Sequence, residues 1–181
     1  MLKIAIVGNI AAGKSAVEKI ISSMGYKVYD TDLIAHNILQ SNLAVKDLFG
    51  TTDRNKIAKV VFSDKAMLNK LEEIIHPLVK AHLLELFKED FKTIFVSVPQ
   101  LFESGFDALF DKIIFISSKD EYRLARLMAR NNLTKDEAIK RINAQEPEMS
   151  KISKADFIIE NNDDFESLRI NTQNVLHQLQ L

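Results

Sequence analysis

The stretch VGNIAAGKSAVEKII, from Val7 to Ile21, decides the fold. Gly8-Asn9-Ile10-Ala11-Ala12-Gly13-Lys14-Ser15 fits the spacing G-x-x-x-x-G-K-[ST]. Glycine lets a backbone turn where a Cβ would clash. Successive N–H groups can then face one concavity and hold phosphate oxygens. A helix that starts near Lys14 adds the positive end of its dipole to the same spot. In such a loop the lysine reaches the β- and γ-phosphates, and the hydroxyl of Ser15 can ligate Mg²⁺. The pattern therefore predicts a nucleotide site built from Gly8, Gly13, Lys14 and Ser15.

The flanks supply the context this motif needs. Upstream, LKIAIV (2–7) is a near-continuous, β-branched apolar run, which reads as a buried parallel strand. Downstream, Val17, Ile20, Ile21 and Met24 fall at i, i+3, i+4 and i+7, one face of a helix. Gly25 stands where a C-cap belongs. Further strands are expected at YKVYD (26–30), TIFVSVP (93–99), DKIIFIS (111–117) and ADFIIEN (155–161). Residues 31–92 read as mainly helical, with LNKLEEIIHP stopping at Pro77. Two helices are expected over 119–131 and 134–145, the second starting from a capping box of Thr134 and Glu137, and a last one over 164–179. Strands alternating with helices imply an α/β fold: a five-stranded, mostly parallel sheet flanked by helices.

Composition narrows the classes. The 181 residues favour one domain, and a formal net charge of -1 offers no field for a polyanion, so no nucleic-acid partner is expected. The absence of cysteine excludes disulfides, thiolate catalysis and cysteine-bound zinc, and suits a reducing compartment. No apolar run has the length of a membrane span, and the apolar start is too short, and too soon broken by Gly8 and Asn9, for a signal peptide. A cytoplasmic protein with no membrane partner is the expectation.

Two further groups bear on chemistry. Asp30 and Asp32, in YDTD, share one side of the strand if it continues through both. At the carboxyl end of a strand they would lie near the phosphate loop. Asp32 could take a proton from an attacking hydroxyl, whereas Asp30 suits a structural or outer-shell metal role. Alternatively, one of them caps the helix that follows. Arg123, Arg126 and Arg130, at i, i+3 and i+7, occupy one flank of a helix. Such a row suits a lid closing on transferring phosphates, or else a solvated face paired with acids such as Glu121.

Taken together these segments resemble the dephospho-coenzyme A kinase family over nearly the whole chain. The carriers are GNIAAGKS, YKVYDTDLIAHNIL, TDRNKIAKVVFSDKAMLNKLEEIIHP, VPQLFESGFDALFDKIIFI, RLARLMARNNLTKDEAIKRINAQ and ADFIIENN. The block from Asp53 to Pro77 is the most specific, since a general phosphate-loop protein has no need of it. The resemblance implies a P-loop kinase that uses ATP and Mg²⁺ and takes dephospho-coenzyme A as its small-molecule partner. It would phosphorylate the ribose 3′-hydroxyl to give coenzyme A. It places Ala11, Ala12, Gly13, Lys14, Ser15 and Ala16 in the ATP loop and Asp32 as the base. Arg126 and Arg130 fall on lid positions, and His76 and Pro77 in the acceptor region. It divides the single domain into a core (1–30, 93–118, 151–181), a helical acceptor region (31–92) and a small lid (119–150).

The chain departs from that family's usual pattern at Asn9, Ala11 and Ala12, at Ser97 in place of an aspartate, at Gln100, and at Lys151 in place of an arginine. The stretch SNLAVKDLFGTTD is shorter than usual. Because alanine resists positive φ, the loop is expected to keep helical geometry at Ala11 and Ala12. A nucleoside-monophosphate or other small-molecule kinase, and a nucleotide-binding module without transfer activity, stand as the alternatives.

Overall fold

The computed structural model describes all 181 residues. Five strands form one sheet in the order β2-β3-β1-β4-β5. They are β1 (Leu2–Val7), β2 (Lys27–Asp30), β3 (Thr93–Ser97), β4 (Lys112–Ser117) and β5 (Phe157–Glu160). β1 is central and runs parallel to β3 on one side, with Ile6 opposite Ser97. On its other side it runs parallel to β4, with Val7 opposite Phe115. β4 and β5 are also parallel. From β1 the chain moves toward the β2 edge, and from its neighbour β3 it crosses toward β4, so the connections of these two adjacent strands diverge. In an open α/β sheet that switch point leaves a crevice outside the carboxyl ends of the strands.

Nine α-helices accompany the sheet: α1 (Lys14–Ser23), α2 (Thr31–Ser41), α3 (Leu43–Phe49), α4 (Arg54–Ser63), α5 (Lys65–Leu86), α6 (Asp120–Asn131), α7 (Lys135–Asn143), α8 (Glu148–Ile152) and α9 (Phe165–Gln178). None is long and apolar enough to cross a membrane. The chain forms two compact units, Met1–Tyr29 with Lys92–Leu181, and Asp30–Phe91. In the first, Ile4 and Ile6 of β1, Phe95 of β3 and Ile114 and Ile116 of β4 are buried with Val17, Ile20 and Ile21 of α1 and Leu168, Val175 and Leu176 of α9. Burial of Ile4–Val7 in β1 and Ile114–Ile116 in β4, on both faces of the sheet, explains why these sequences run apolar instead of alternating.

The second unit is helical. α2, α3 and α4 all pack on the long helix α5. Pro77 does not stop α5, contrary to the expectation; the helix runs on to Leu86. The reason is energetic. A proline inside a helix costs about 3 kcal/mol. The buried stripe Ile75, Val79, Leu83 and Leu86 straddles it, and each such side chain returns about 1.5–3 kcal/mol on burial.

β2 also ends sooner than the reading of Asp30 and Asp32 assumed. Asp30 is the N-cap of α2, its carboxylate accepting from the Asp32 N–H at 2.8 Å. Asp32 is therefore an exposed first-turn helical residue, not a strand residue two along from Asp30.

Candidate functional site

The loop between β1 and α1 leaves the carboxyl end of the central strand. Gly8 is required there by close approach: a Cβ would stand 2.8 Å from the carbonyl oxygen of Ile116 in β4. Gly13 is required by conformation, with φ 102°, and by space, since a Cβ would run into Asn161 Nδ2. Gly13 also caps α1 without a side chain, and α1 has no acid in its first turn. Its leading amides are therefore not claimed by a cap.

Hydrogen bonding sorts the loop amides into two sets. The N–H of Ile10 donates to Gln145 Oε1 at 2.6 Å and that of Ala12 to the Asn9 carbonyl at 3.1 Å. Those of Ala16 and Val17 donate to the Gly13 carbonyl at 3.0 and 3.3 Å. The amides of Ala11, Gly13 and Ser15 have no acceptor in the chain. Three unspent donors at an uncapped helix start form a concavity suited to an anion. The Ser15 side chain is exposed, and Lys14 Nζ donates to the Gly8 carbonyl at 2.6 Å, folded back over the same loop.

Ala11 corrects the expected geometry. Its φ is 60°, in the left-handed region. For a residue with a Cβ this costs roughly 1–2 kcal/mol. The surroundings that impose it come from far along the chain. Arg123 Nε donates to the Ile10 carbonyl at 3.1 Å and Asn9 Nδ2 to the Glu146 carbonyl at 3.2 Å. Asn161 Nδ2 donates to the Ala12 carbonyl at 2.7 Å. Two buried polar atoms beside the loop, Asn9 Oδ1 and Arg123 Nη2, have no partner.

The three arginines separate in role. Arg123 is buried and pairs with Asp120 at 2.8 Å while bracing the loop. Arg126 donates to Ser118 Oγ at 3.0 Å, to the Asn161 carbonyl at 2.9 Å and to Asn161 Oδ1 at 3.1 Å. It reaches the Ala12 carbonyl at 3.5 Å, and its guanidinium lies 5.9 Å from the Tyr122 ring centroid. Burial pulls the Arg126 pKa below its usual value, with Tyr122 opposing. Arg130 is exposed, its Nε donating to Asn131 Oδ1 at 2.9 Å. The row is thus neither a uniform phosphate clamp nor a solvated face.

Sequence reasoning missed Gln145, Asn161, Ser118 and Glu148, because nothing local marks them. Glu148 accepts from the Ser118 N–H and the Ser117 hydroxyl, both at 3.2 Å, tying α8 to the end of β4. Burial pushes its carboxyl above the ordinary range, against those two hydrogen bonds. An open cavity of about 600 Å³ lies beside the loop, lined in part by Asn9, Arg123, Gln145 and Glu148. Lys151 is buried in an ion pair with Glu103 at 2.6 Å. Of the residues read from sequence, Gly8, Ala11, Ala12, Gly13, Lys14, Ser15, Ala16, Arg126 and Arg130 lie in the first unit. Asp32, half-buried His76 and exposed Pro77 lie in the second.

No group of three or more His, Asp or Glu side chains is placed to hold a metal ion. Mg²⁺ at a triphosphate takes most of its ligands from phosphate and water, and the one protein oxygen at the start of α1 open to such an ion is the exposed Ser15 hydroxyl.

Comparison with known proteins gives the family. The family model described as dephospho-CoA kinase matches residues 2–167. The chain is 38% identical to the dephospho-CoA kinase of Listeria monocytogenes, with 90% of each chain covered. It superposes on the crystal structure of TT1252 from Thermus thermophilus with a TM-score of 0.86 at 34% identity, covering 98% of this chain and 97% of that one. It superposes on dephospho-CoA kinase from Campylobacter jejuni with a TM-score of 0.76 at 31% identity, covering 98% and 96%. A loop with unspent amides on the central strand, in a chain matched almost end to end, leads to one assignment: the chain belongs to the dephospho-CoA kinase family.

Proposed function

We propose that this chain transfers the γ-phosphoryl group of ATP to the ribose 3′-hydroxyl of dephospho-CoA, giving coenzyme A. The observation that carries the chemistry is the set of unclaimed amides at Ala11, Gly13 and Ser15 beside Lys14. In the proposed mechanism these amides hold phosphate oxygens. Lys14 leaves the Gly8 carbonyl to pair with the β- and γ-phosphates. Ser15 would hold Mg²⁺, which would neutralise charge on the same phosphates. Asp32 takes the proton of the attacking hydroxyl. Arg126 and Arg130 balance the charge that develops on the transferring group, and His76 and Pro77 belong to the acceptor region. Residence in the cytoplasm is part of the same reading.

Incubation with Mg-ATP, with and without dephospho-CoA, tests it. Acceptor-dependent ADP and a product heavier by one phosphoryl group are expected. ADP formation that ignores dephospho-CoA but follows a nucleoside monophosphate would replace this reading with the nucleotide-kinase one. Tight ATP binding without turnover on any acceptor would leave a binding module.

A further inference from the structure

We propose that Gln145 is a positioning residue for phosphoryl transfer: it locks the phosphate loop in its strained, nucleotide-ready shape from the root of α7. This inference rests on the ATP-binding reading of the loop. Gln145 follows α7 directly, past the C-cap Ala144, and its own N–H closes the last turn onto the Ile142 carbonyl at 3.2 Å. Its side chain crosses to the loop tip and accepts the Ile10 N–H at 2.6 Å. Arg123, on α6, takes the carbonyl of the same residue. Ile10 is therefore fixed at both its donor and its acceptor by the helix pair α6–α7.

The next residue, Ala11, is the one held at φ 60°. With the Ile10 peptide clamped, the turn cannot relax Ala11 to negative φ without breaking the grip. The clamp also removes one amide from the cradle and leaves the Ala11 amide unspent. Gln145 thus acts through the loop backbone.

If the loop is competent only in the clamped shape, apparent affinity falls in proportion to the competent fraction. Losing the clamp lets Ala11 choose negative φ. Glycine at position 11 has no such preference. Substitution at 145 should therefore be rescued in part by Ala11→Gly, which a general loss of stability would not allow.

The test is calorimetric titration of ATP into the full chain, without acceptor, for wild type, Q145A, A11G and Q145A/A11G, with thermal melts of each. Q145A should weaken ATP binding about tenfold. Adding A11G to Q145A should recover about fivefold, more than A11G changes binding when Gln145 is present. Q145A that binds ATP like wild type overturns the proposal. So does a Q145A defect that A11G leaves untouched, since the lock would then not act through Ala11. A wild-type chain that binds no ATP fails earlier, and overturns the functional reading itself.

Discussion

The helices of the helical unit and helix α1 of the sheet unit begin in opposite ways. In the helical unit α2, α3, α4 and α5 each start on a side chain, Asp30, Asn42, Asp53 and Asp64, that accepts their first amides. In the sheet unit α1 starts on Gly13, with none. The first arrangement satisfies the helix from within four residues of sequence. The second leaves donors open, and the carbonyls around them are held by Arg123, Arg126 and Asn161, more than a hundred residues away. A helix start that lacks its own acceptor, while distant side chains hold its shape, is prepared for a ligand. Helices that cap themselves are prepared only to fold.

The sharpest way to break this contrast is to remove chemistry from each unit in turn. Asp32→Asn should lower kcat about 10²–10⁴-fold if the carboxylate is the base. Asp32 is exposed, so the fold should survive, and circular dichroism with steady-state rates will separate the two effects. An unchanged kcat would remove Asp32 from the reaction. Lys14→Ala should raise the barrier by about 3–4 kcal/mol, read as a fall in kcat/KM; a near-normal rate would contradict the phosphate assignment.

Next in size is the long-range brace. Asn161→Ala deletes the donor to the Ala12 carbonyl and an acceptor of Arg126. Leaving such groups unmatched costs about 1–3 kcal/mol each. Denaturant melts should show a loss of that order together with weaker ATP binding. Loss of stability with ATP affinity intact would mean that the brace does not shape the loop.

The helical unit should respond more mildly. Asp64→Ala removes the cap that accepts from Ala66 and Met67 and should cost about 1 kcal/mol, without altering ATP affinity in titration. A large affinity change would erase the distinction between the units.

The smallest effect is electrostatic. The Glu148 carboxyl lies above its usual 4.5, chiefly through burial. The folded chain therefore holds that proton more tightly than the unfolded one. The stability linked to it is complete below the unfolded value and is lost as pH rises through the folded one. Glu148→Gln removes the titration, so its stability should decline less than that of wild type as pH rises above the ordinary carboxyl value of 4.5. Parallel declines would assign the slope to other groups.

What was legible in the sequence was what repeats or is local. The buried strands showed because apolar runs ending at turn residues persist over several positions. The capping box at Thr134 and Glu137 is present as read, because both partners lie within one helical turn. Pro77 misled because the rule for a proline is local, while the stripe from Ile75 to Leu86 that overrides it is tertiary. Of the two readings of Asp30 and Asp32, the helix cap is the one realised, at Asp30; the shared strand side is not, because the chain turns into α2 at Asp30. Ala11 was read by intrinsic preference, which the bonds to Ile10 and Ala12 overrule. Gln145 and Asn161 stand within stretches that carry the family resemblance, but nothing local marks their bonds to the loop, since a glutamine near a helix end is common and its partner at residue 10 is invisible in the chain order.

That separation in the chain has a consequence for synthesis. Residues 8–15 leave the ribosome early, but the groups that set their shape, at 123, 126, 145 and 161, emerge near the end. Contacts so distant form late and slowly. During translation, residues 8–15 would therefore wait without the contacts that shape them. On the proposed function, a ribosome stalled before Asn161 should expose a chain that ATP does not protect from protease.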